Sequence, residues 1–313
     1  MGMKARLWFA GVTTGQSFIH LAFPLWMDDL GRDVRLAGRD LPLGASRATY
    51  RGFVRDLAGD PSAVGAVITA HKVGIFAAAR DLFSSLDELA SECREINAIR
   101  RDGGGLAGFA RDPLSVGWQA ARIWPGGDHA VCLGAGGTAI ALGRHLLSRT
   151  APPARMVFTD RSVSAGRRLR SVLGHRAAAR RVELVIKVGE GPWDEVVAAA
   201  PAGALIVNAT GLGKDRPGAP VSAGVGYPAR SVVWDLNYRG DLIMLGQARD
   251  QASSGGLRVH DGWGLFCDGW AAALGPVLGT PGGPAAGQRF AEVAASLRPK
   301  TGPAGGGRPV CPG

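Results

Sequence analysis

Short, nearly continuous apolar runs alternate along the chain with longer stretches in which apolar residues return at helical spacing. A bounded apolar run reads as a buried strand, and recurrence every three to four residues as a helix face. Strands are therefore predicted over 7–12, 34–41, 64–69, 131–133, 155–160, 184–188, 205–208, 231–236 and 258–260, and helices over 18–30, 48–57, 72–82, 86–93, 113–124, 164–173, 193–199, 241–254, 264–274 and 285–297. The runs 96–100 and 106–109 flank Asp102-Gly103-Gly104-Gly105, a hairpin signal. Strand and helix alternation of this kind predicts an α/β fold with a doubly wound, largely parallel sheet.

Within that pattern one stretch is distinctive. Val131-Cys132-Leu133-Gly134-Ala135-Gly136-Gly137-Thr138-Ala139 reads as a strand, a glycine turn and the start of a helix. Gly134, Gly136 and Ala139 fit G-x-G-x-x-A, in which the first glycine allows the turn, the second lets backbone approach a pyrophosphate, and the small third residue lets helix lie on strand. The strand over 155–160 ends in Asp160, placed as the carboxylate that would hold the adenosine ribose, with Arg161 beside it. A carboxylate there favours NAD, and an adjacent arginine keeps NADP open. The chain is thus expected to bind a dinucleotide, NAD ahead of NADP.

The length of 313 residues and the 46% hydrophobic content suit about two domains. Two α/β domains with a cleft between them are expected: 1–112 plus 262–298 for substrate and catalysis, 113–261 for the dinucleotide, and a disordered glycine- and proline-rich tail over 299–313. No apolar stretch is long enough to span a bilayer, and the opening residues run into a strand rather than a secretion signal. Cys93, Cys132, Cys267 and Cys311 lack the spacing of a zinc or redox pair, so reduced thiols, a cytoplasmic location and no metal are expected. The net charge of +10 is carried almost wholly by arginine, clustered between Arg161 and Arg181. Without interleaved aromatic residues this cluster reads as a solvated helix face, and no nucleic-acid or membrane partner is expected.

Three residues outside the glycine turn carry candidate chemistry. Lys72 follows the strand over 64–69, at the carboxyl edge where open α/β sheets place ligands. Desolvation there would lower its pKa toward neutrality, and a nearby carboxylate would restrain that shift. Asp112 precedes Pro113 at the end of the hairpin region, and Asn97 lies on the first hairpin strand, where it could meet a polar substrate or serve a turn.

Taken in order, these segments resemble the shikimate/quinate dehydrogenase family. The resemblance rests on a strand ending in His71-Lys72, on Glu95-Ile96-Asn97-Ala98, on Gly108-Phe109-Ala110-Arg111-Asp112 and on the glycine turn. Thr159-Asp160-Arg161-Ser162, Val207-Asn208-Ala209-Thr210-Gly211-Leu212-Gly213, Asp235-Leu236-Asn237-Tyr238 and Gly262-Trp263-Gly264-Leu265 extend it over about residues 4 to 295. It implies hydride transfer between a ring hydroxyl of a cyclic polyol and NAD(P), with Lys72 and Asp112 as the catalytic pair and Ser17, Thr69, Asn97 and Tyr238 around the substrate. It also implies that Gly134, Ala135, Gly136, Gly137, Thr138, Ala139, Asp160, Arg161, Asn208, Ala209, Thr210, Gly211 and Gly262 hold the cofactor, in a monomer or homodimer.

The departures fall in the substrate pocket. Ile19, Ala66 and Gly269 stand where the family pattern has a serine, an asparagine and a glutamine. Losing buried polar partners at about 1 to 3 kcal/mol each tells against shikimate itself. A reductase of another ketone or imine, or a dinucleotide-binding sensor without turnover, are the competing readings.

Overall fold

The computed structural model describes residues 4–214 and 216–299. The chain divides into two compact units, one made of the residues up to Ser115 together with Cys267–Arg298, the other of Val116–Phe266. The tail expected to be disordered lies, from residue 300 onward, outside the described residues.

The first unit runs β1 (Ala5–Gly11), α1 (Ile19–Asp29), β2 (Val34–Asp40), α2 (Arg47–Gly59), β3 (Ala63–Ile68), α3 (Lys72–Ala79), β4 (Ser85–Leu86), α4 (Glu88–Cys93), β5 (Ala98–Asp102), β6 (Gly105–Phe109) and the start of α5 (Asp112–Ile123). Its sheet has the order β2-β1-β3-β5-β6-β4. β1 pairs in parallel with β2 and β3, and the hairpin β5-β6 is antiparallel, β5 lying against β3. Leu7, Trp8, Phe9 and Ala10 of β1 are all buried, as expected of a strand flanked on both edges and covered on both faces. Residues 85–86, expected to lead into a helix, form a two-residue strand on β6 instead. α4 begins only after Asp87, whose carboxylate accepts from Ala90 N at 2.7 Å and so sets the helix start.

The second unit continues with β7 (His129–Leu133), α6 (Gly137–Ser148), β8 (Arg155–Asp160), α7 (Val163–Ala179), β9 (Glu183–Val188), α8 (Asp194–Ala198), β10 (Leu205–Asn208), β11 (Val232–Asp235), α9 (Ile243–Asp250), α10 (Ala252–Gly255) and β12 (Arg258–His260). All its strands are parallel, in the order β12-β11-β10-β7-β8-β9. Counted from β7, this is the 3-2-1-4-5-6 order of a doubly wound dinucleotide fold, whose direction of winding reverses between β7 and β10. α7 extends past the predicted stretch because Leu169, Leu173 and Ala177 keep one face buried while Arg167 and Arg170 are exposed.

α11 (Trp263–Leu278) and α12 (Pro284–Val293) follow. In the first unit, Trp270 of α11 lies against Phe9, Phe23 and Trp26. Phe290 of α12 stacks on Trp26 at 4.5 Å between ring centroids, and the Trp26 indole donates to the Phe290 carbonyl at 2.9 Å. The N-terminal strands and the last helices thus share one core.

Candidate active site

In the first unit, three chain segments converge on one carboxylate. Lys72 opens α3, directly after β3, and its ammonium donates to Asp112 Oδ2. Asn97 Nδ2 donates to Asp112 Oδ1. Asn97 is itself fixed, its side-chain oxygen accepting from Arg111 N at 2.7 Å and its backbone joined to Phe109 O at 2.9 Å and Ile68 N at 2.8 Å. Asp112, the first residue of α5, is therefore held by two donors. Pro113 behind it occupies an early helical position, where its missing N–H costs nothing. Arg111 forms an ion pair with Asp87, whose other oxygen accepts from Ala110 N at 3.2 Å, so the link from β6 into α5 is anchored to the start of α4.

The electrostatics of Lys72 differ from the sequence expectation of a lysine drawn toward neutrality. Burial does push its pKa down, but the Asp112 charge, the Glu95 charge and the Asp112 hydrogen bond outweigh burial and hold it above the ordinary lysine range. Lys72 therefore rests as an ammonium. An ammonium has three donors and Asp112 takes one, which leaves others for a substrate oxygen.

Of the residues expected at the substrate, Thr69 Oγ1 donates to the Ala10 carbonyl at 3.2 Å and Ser17 N to the Thr14 carbonyl at 2.9 Å. Thr69 and Thr14 both flank Gly11, each with a side-chain atom 3.2 Å from where its Cβ would stand. Ile19 and Ala66 are fully buried, so each fills space without offering a polar atom. A Cβ at Gly269 would meet nothing nearer than Ser115 Oγ at 4.0 Å, so the site of the missing glutamine is open. Tyr238 belongs to the second unit, buried against Trp263 and Phe266 with the Lys214 ammonium 5.4 Å from its ring.

The second unit carries the remaining candidates, all but Gly262 at the carboxyl ends of β7, β8 and β10, and Gly262 just after β12. Gly134 adopts φ +119°, and a Cβ there would lie 2.8 Å from the Ala209 carbonyl, so only glycine fits. Ala135 N donates to Asp160 Oδ2 at 2.9 Å, tying the glycine turn to the end of β8. The other Asp160 oxygen accepts from Ser162 N at 2.8 Å, and Arg161 is exposed beside it. Gly136 caps α6 without any side chain and has open space around it, while Gly137 and Thr138 are partly exposed and Ala139 is buried against the sheet. An uncapped helix start next to a residue without a side chain is what a pyrophosphate needs in order to reach backbone amides.

Across the reversal point, Asn208 at the end of β10 accepts from Thr210 N at 3.1 Å and Thr210 Oγ1 at 2.7 Å, and donates to Asp235 Oδ2 at 3.1 Å. These bonds knot the turn that carries Ala209, Thr210 and Gly211, the last at φ +73°. Burial pushes the Asp235 pKa up to about 6 against the opposing pull of its bonds from Asn237 and Asn208. Gly262 donates its N–H to Asn237 O at 2.9 Å and lies against the Leu236 carbonyl, where no Cβ would fit. These residues fit a dinucleotide.

The chain is 30% identical over 263 residues to a protein named shikimate dehydrogenase (NADP(+)) from Brucella abortus strain S19, covering 81% of this chain and 83% of the relative. It belongs to the shikimate dehydrogenase family. No family model matches it. In fold, it is similar to the quinate dehydrogenase of Corynebacterium glutamicum solved with NAD (TM-score 0.71, 20% identity, 94% of this chain and 99% of that one). It is also similar to the shikimate 5-dehydrogenase of Thermus thermophilus solved with shikimate (TM-score 0.66, 22% identity, 93% and 99%). As a member of the shikimate dehydrogenase family the chain has the two-sheet α/β fold expected from its sequence. One acidic residue that sequence reasoning passed over, Glu95, lies fully buried within the electrostatic reach of Lys72 and Asp112. In the sequence it stands in Glu95-Ile96-Asn97-Ala98, a segment that carries the resemblance without giving the glutamate a role.

Proposed function

We propose that the chain is an NAD(P)-dependent dehydrogenase that interconverts a ring hydroxyl and a ketone of a cyclic polyol, shikimate, quinate or a related cyclitol, with Lys72 and Asp112 as its proton-handling pair. The observation that carries this reading is the Lys72–Asp112–Asn97 arrangement in a member of the shikimate dehydrogenase family. When bound, the nicotinamide gives or accepts the hydride. In ketone reduction, Lys72 supplies the proton to the carbonyl oxygen from its ammonium form. In the reverse direction, Lys72 must first lose that proton and then take the one on the hydroxyl. Asp112 orients the amine and balances its charge, and Asn97 keeps Asp112 from rotating away. Positioned proton transfer of this kind contributes about 10²- to 10⁴-fold, and holding the ring in place contributes further.

The resting ammonium matches reduction at neutral pH, and oxidation is expected to keep accelerating into the alkaline range. For substrate, Ile19 and Ala66 supply no polar atoms and Gly269 leaves space, which supports a ring other than shikimate as the best substrate. For cofactor, Asp160 supports NAD, while Arg161 and the NADP(+) in the relatives' names support NADP. We place NAD first. Ser17, Thr69 and Tyr238 are assigned to the substrate, and the turns after β7, β8 and β10 to the dinucleotide.

Mixing the purified protein with NAD or NADP and a panel of carboxylated and uncarboxylated cyclitols, and following reduced nicotinamide by absorbance, tests the reading. Turnover with a cyclitol is expected. Cofactor binding without turnover on any member of the panel would point to a different ketone or imine, or to a sensor. Asp160→Ala is expected to lower the ratio of kcat/KM with NAD to kcat/KM with NADP by about tenfold, the weight of one lost charge-assisted interaction. An unchanged ratio would move cofactor choice to other residues.

A further inference from the structure

Among the described residues of the first unit is a fully buried carboxylic acid that the chemistry above leaves unused. Glu95 is 0% exposed, and neither of its carboxyl oxygens has a hydrogen-bond partner. An acid so placed is costly, because burial without a partner removes its water and returns nothing. Its position follows from the backbone. Arg94 ends α4 in the left-handed region at φ 53°, turning the chain sharply. Glu95 N then closes onto Ala90 O at 3.3 Å, and Ile96 N donates to the carbonyl of Lys72 itself at 3.2 Å. The segment that carries Glu95 is thus bound to the lysine's own backbone. Asn97, two residues further along, bonds to Asp112.

We propose that Glu95 is a positioning residue for the catalytic lysine: its buried carboxyl, together with Asp112, flanks the Lys72 ammonium and sets the pH at which Lys72 exchanges its proton with substrate. The proposal rests on the reading of Lys72 as the group that passes the proton. Lys72 feels the charge of Asp112 from the start of α5, of Glu95 from the link between α4 and β5, and of Cys93 from the end of α4, with the neutral Asn97 on Asp112. Glu95 in turn feels Lys72 and Asp112. Burial pushes Glu95 up, the Lys72 charge opposes and the Asp112 charge adds to it, leaving Glu95 at about 8. Burial thus favours the carboxylic-acid form of Glu95 beside an ammonium on Lys72. Above its midpoint, Glu95 ionises and the second carboxylate holds the Lys72 proton more firmly. Because its oxygens are out of reach of solvent, Glu95 acts through Lys72 and not on the substrate.

The test uses the full chain and reads the electrostatics with and without turnover. Carbon-13 NMR of the Glu95 carboxyl is expected to show a midpoint near 8 in the native protein. Lys72→Met should move that midpoint higher, because the opposing positive charge is gone. An ordinary glutamate midpoint, or one indifferent to Lys72→Met, overturns the proposal even if no Glu95 variant folds. In kinetics, Glu95→Gln is expected to move the acid limb of alcohol oxidation down by about one pH unit or more, and Glu95→Asp to move it back toward the native position. A lowered plateau with an unmoved limb would mean Glu95 is merely structural and would overturn the proposal. If Lys72→Met keeps full turnover while the Glu95 midpoint still shifts, the assignment of Lys72 is what fails, and the proposal falls with it.

Discussion

At Lys72 two effects of opposite sign meet, since burial disfavours an ammonium and two neighbouring carboxyls favour it. The second effect prevails, so this residue is an acid first and a base only after losing a firmly held proton. Lys72→Met and Asp112→Asn are each expected to lower kcat by at least about 10²-fold, with circular dichroism unchanged, because each removes a proton-handling or orienting group from a folded scaffold. Glu95 ties the same cluster to stability. Its folded pKa of about 8 lies above the 4.5 of an unfolded glutamate, so the native state binds the extra proton between those values. Stability from this group is therefore full below the lower value and is lost as pH rises through the upper one. Across that window, Glu95→Gln should make the thermal midpoint fall less, or rise more, with pH than it does in the native protein. No sequence pattern reports this: Glu95 stands in a segment that carries the family resemblance, without a role of its own, and only its complete burial draws attention to it.

Among the elements, the turn between β7 and α6 has little freedom. Gly134→Ala would force a side chain into left-handed backbone and against the Ala209 carbonyl at 2.8 Å. It is expected to weaken dinucleotide binding at least about tenfold and to lower the thermal midpoint, since both the turn and the neighbouring loop after β10 must shift. Dinucleotide titration by calorimetry would check it. Most of these elements were legible beforehand: β8 and β10 fall where their apolar runs end, because a buried parallel strand carries little else, and the partly exposed edge strand β12 also keeps its expected range. The strand Ser85–Leu86 was not legible. Two residues carry no period, and the pairing to β6 that defines them is a tertiary fact. The convergence of Lys72, Asn97 and Asp112 was likewise invisible to periodicity, and only the order of the motifs pointed to it.

On the scale of the molecule, the strand order of the second sheet and the glycine turn at its reversal point make dinucleotide binding a property of one unit. Ligand that binds only the native state stabilises it by mass action, about 2.7 kcal/mol at a hundredfold excess over Kd. In differential scanning calorimetry, NAD or NADP is therefore expected to raise the midpoint of the transition that contains the second unit. An unmoved thermogram at saturating cofactor would remove the basis for a dehydrogenase.

The aromatic stack of Trp26 on Phe290 joins residues 264 positions apart. During synthesis at roughly 5 to 20 residues per second, the first helix would wait on the order of tens of seconds for its partner to leave the ribosome. The segment around Trp26 consequently emerges with an indole and its neighbours uncovered, while the residues between it and Phe290 can mature first. Holdase chaperones in the cell should then engage the nascent chain early and release it only once the final helix has been translated.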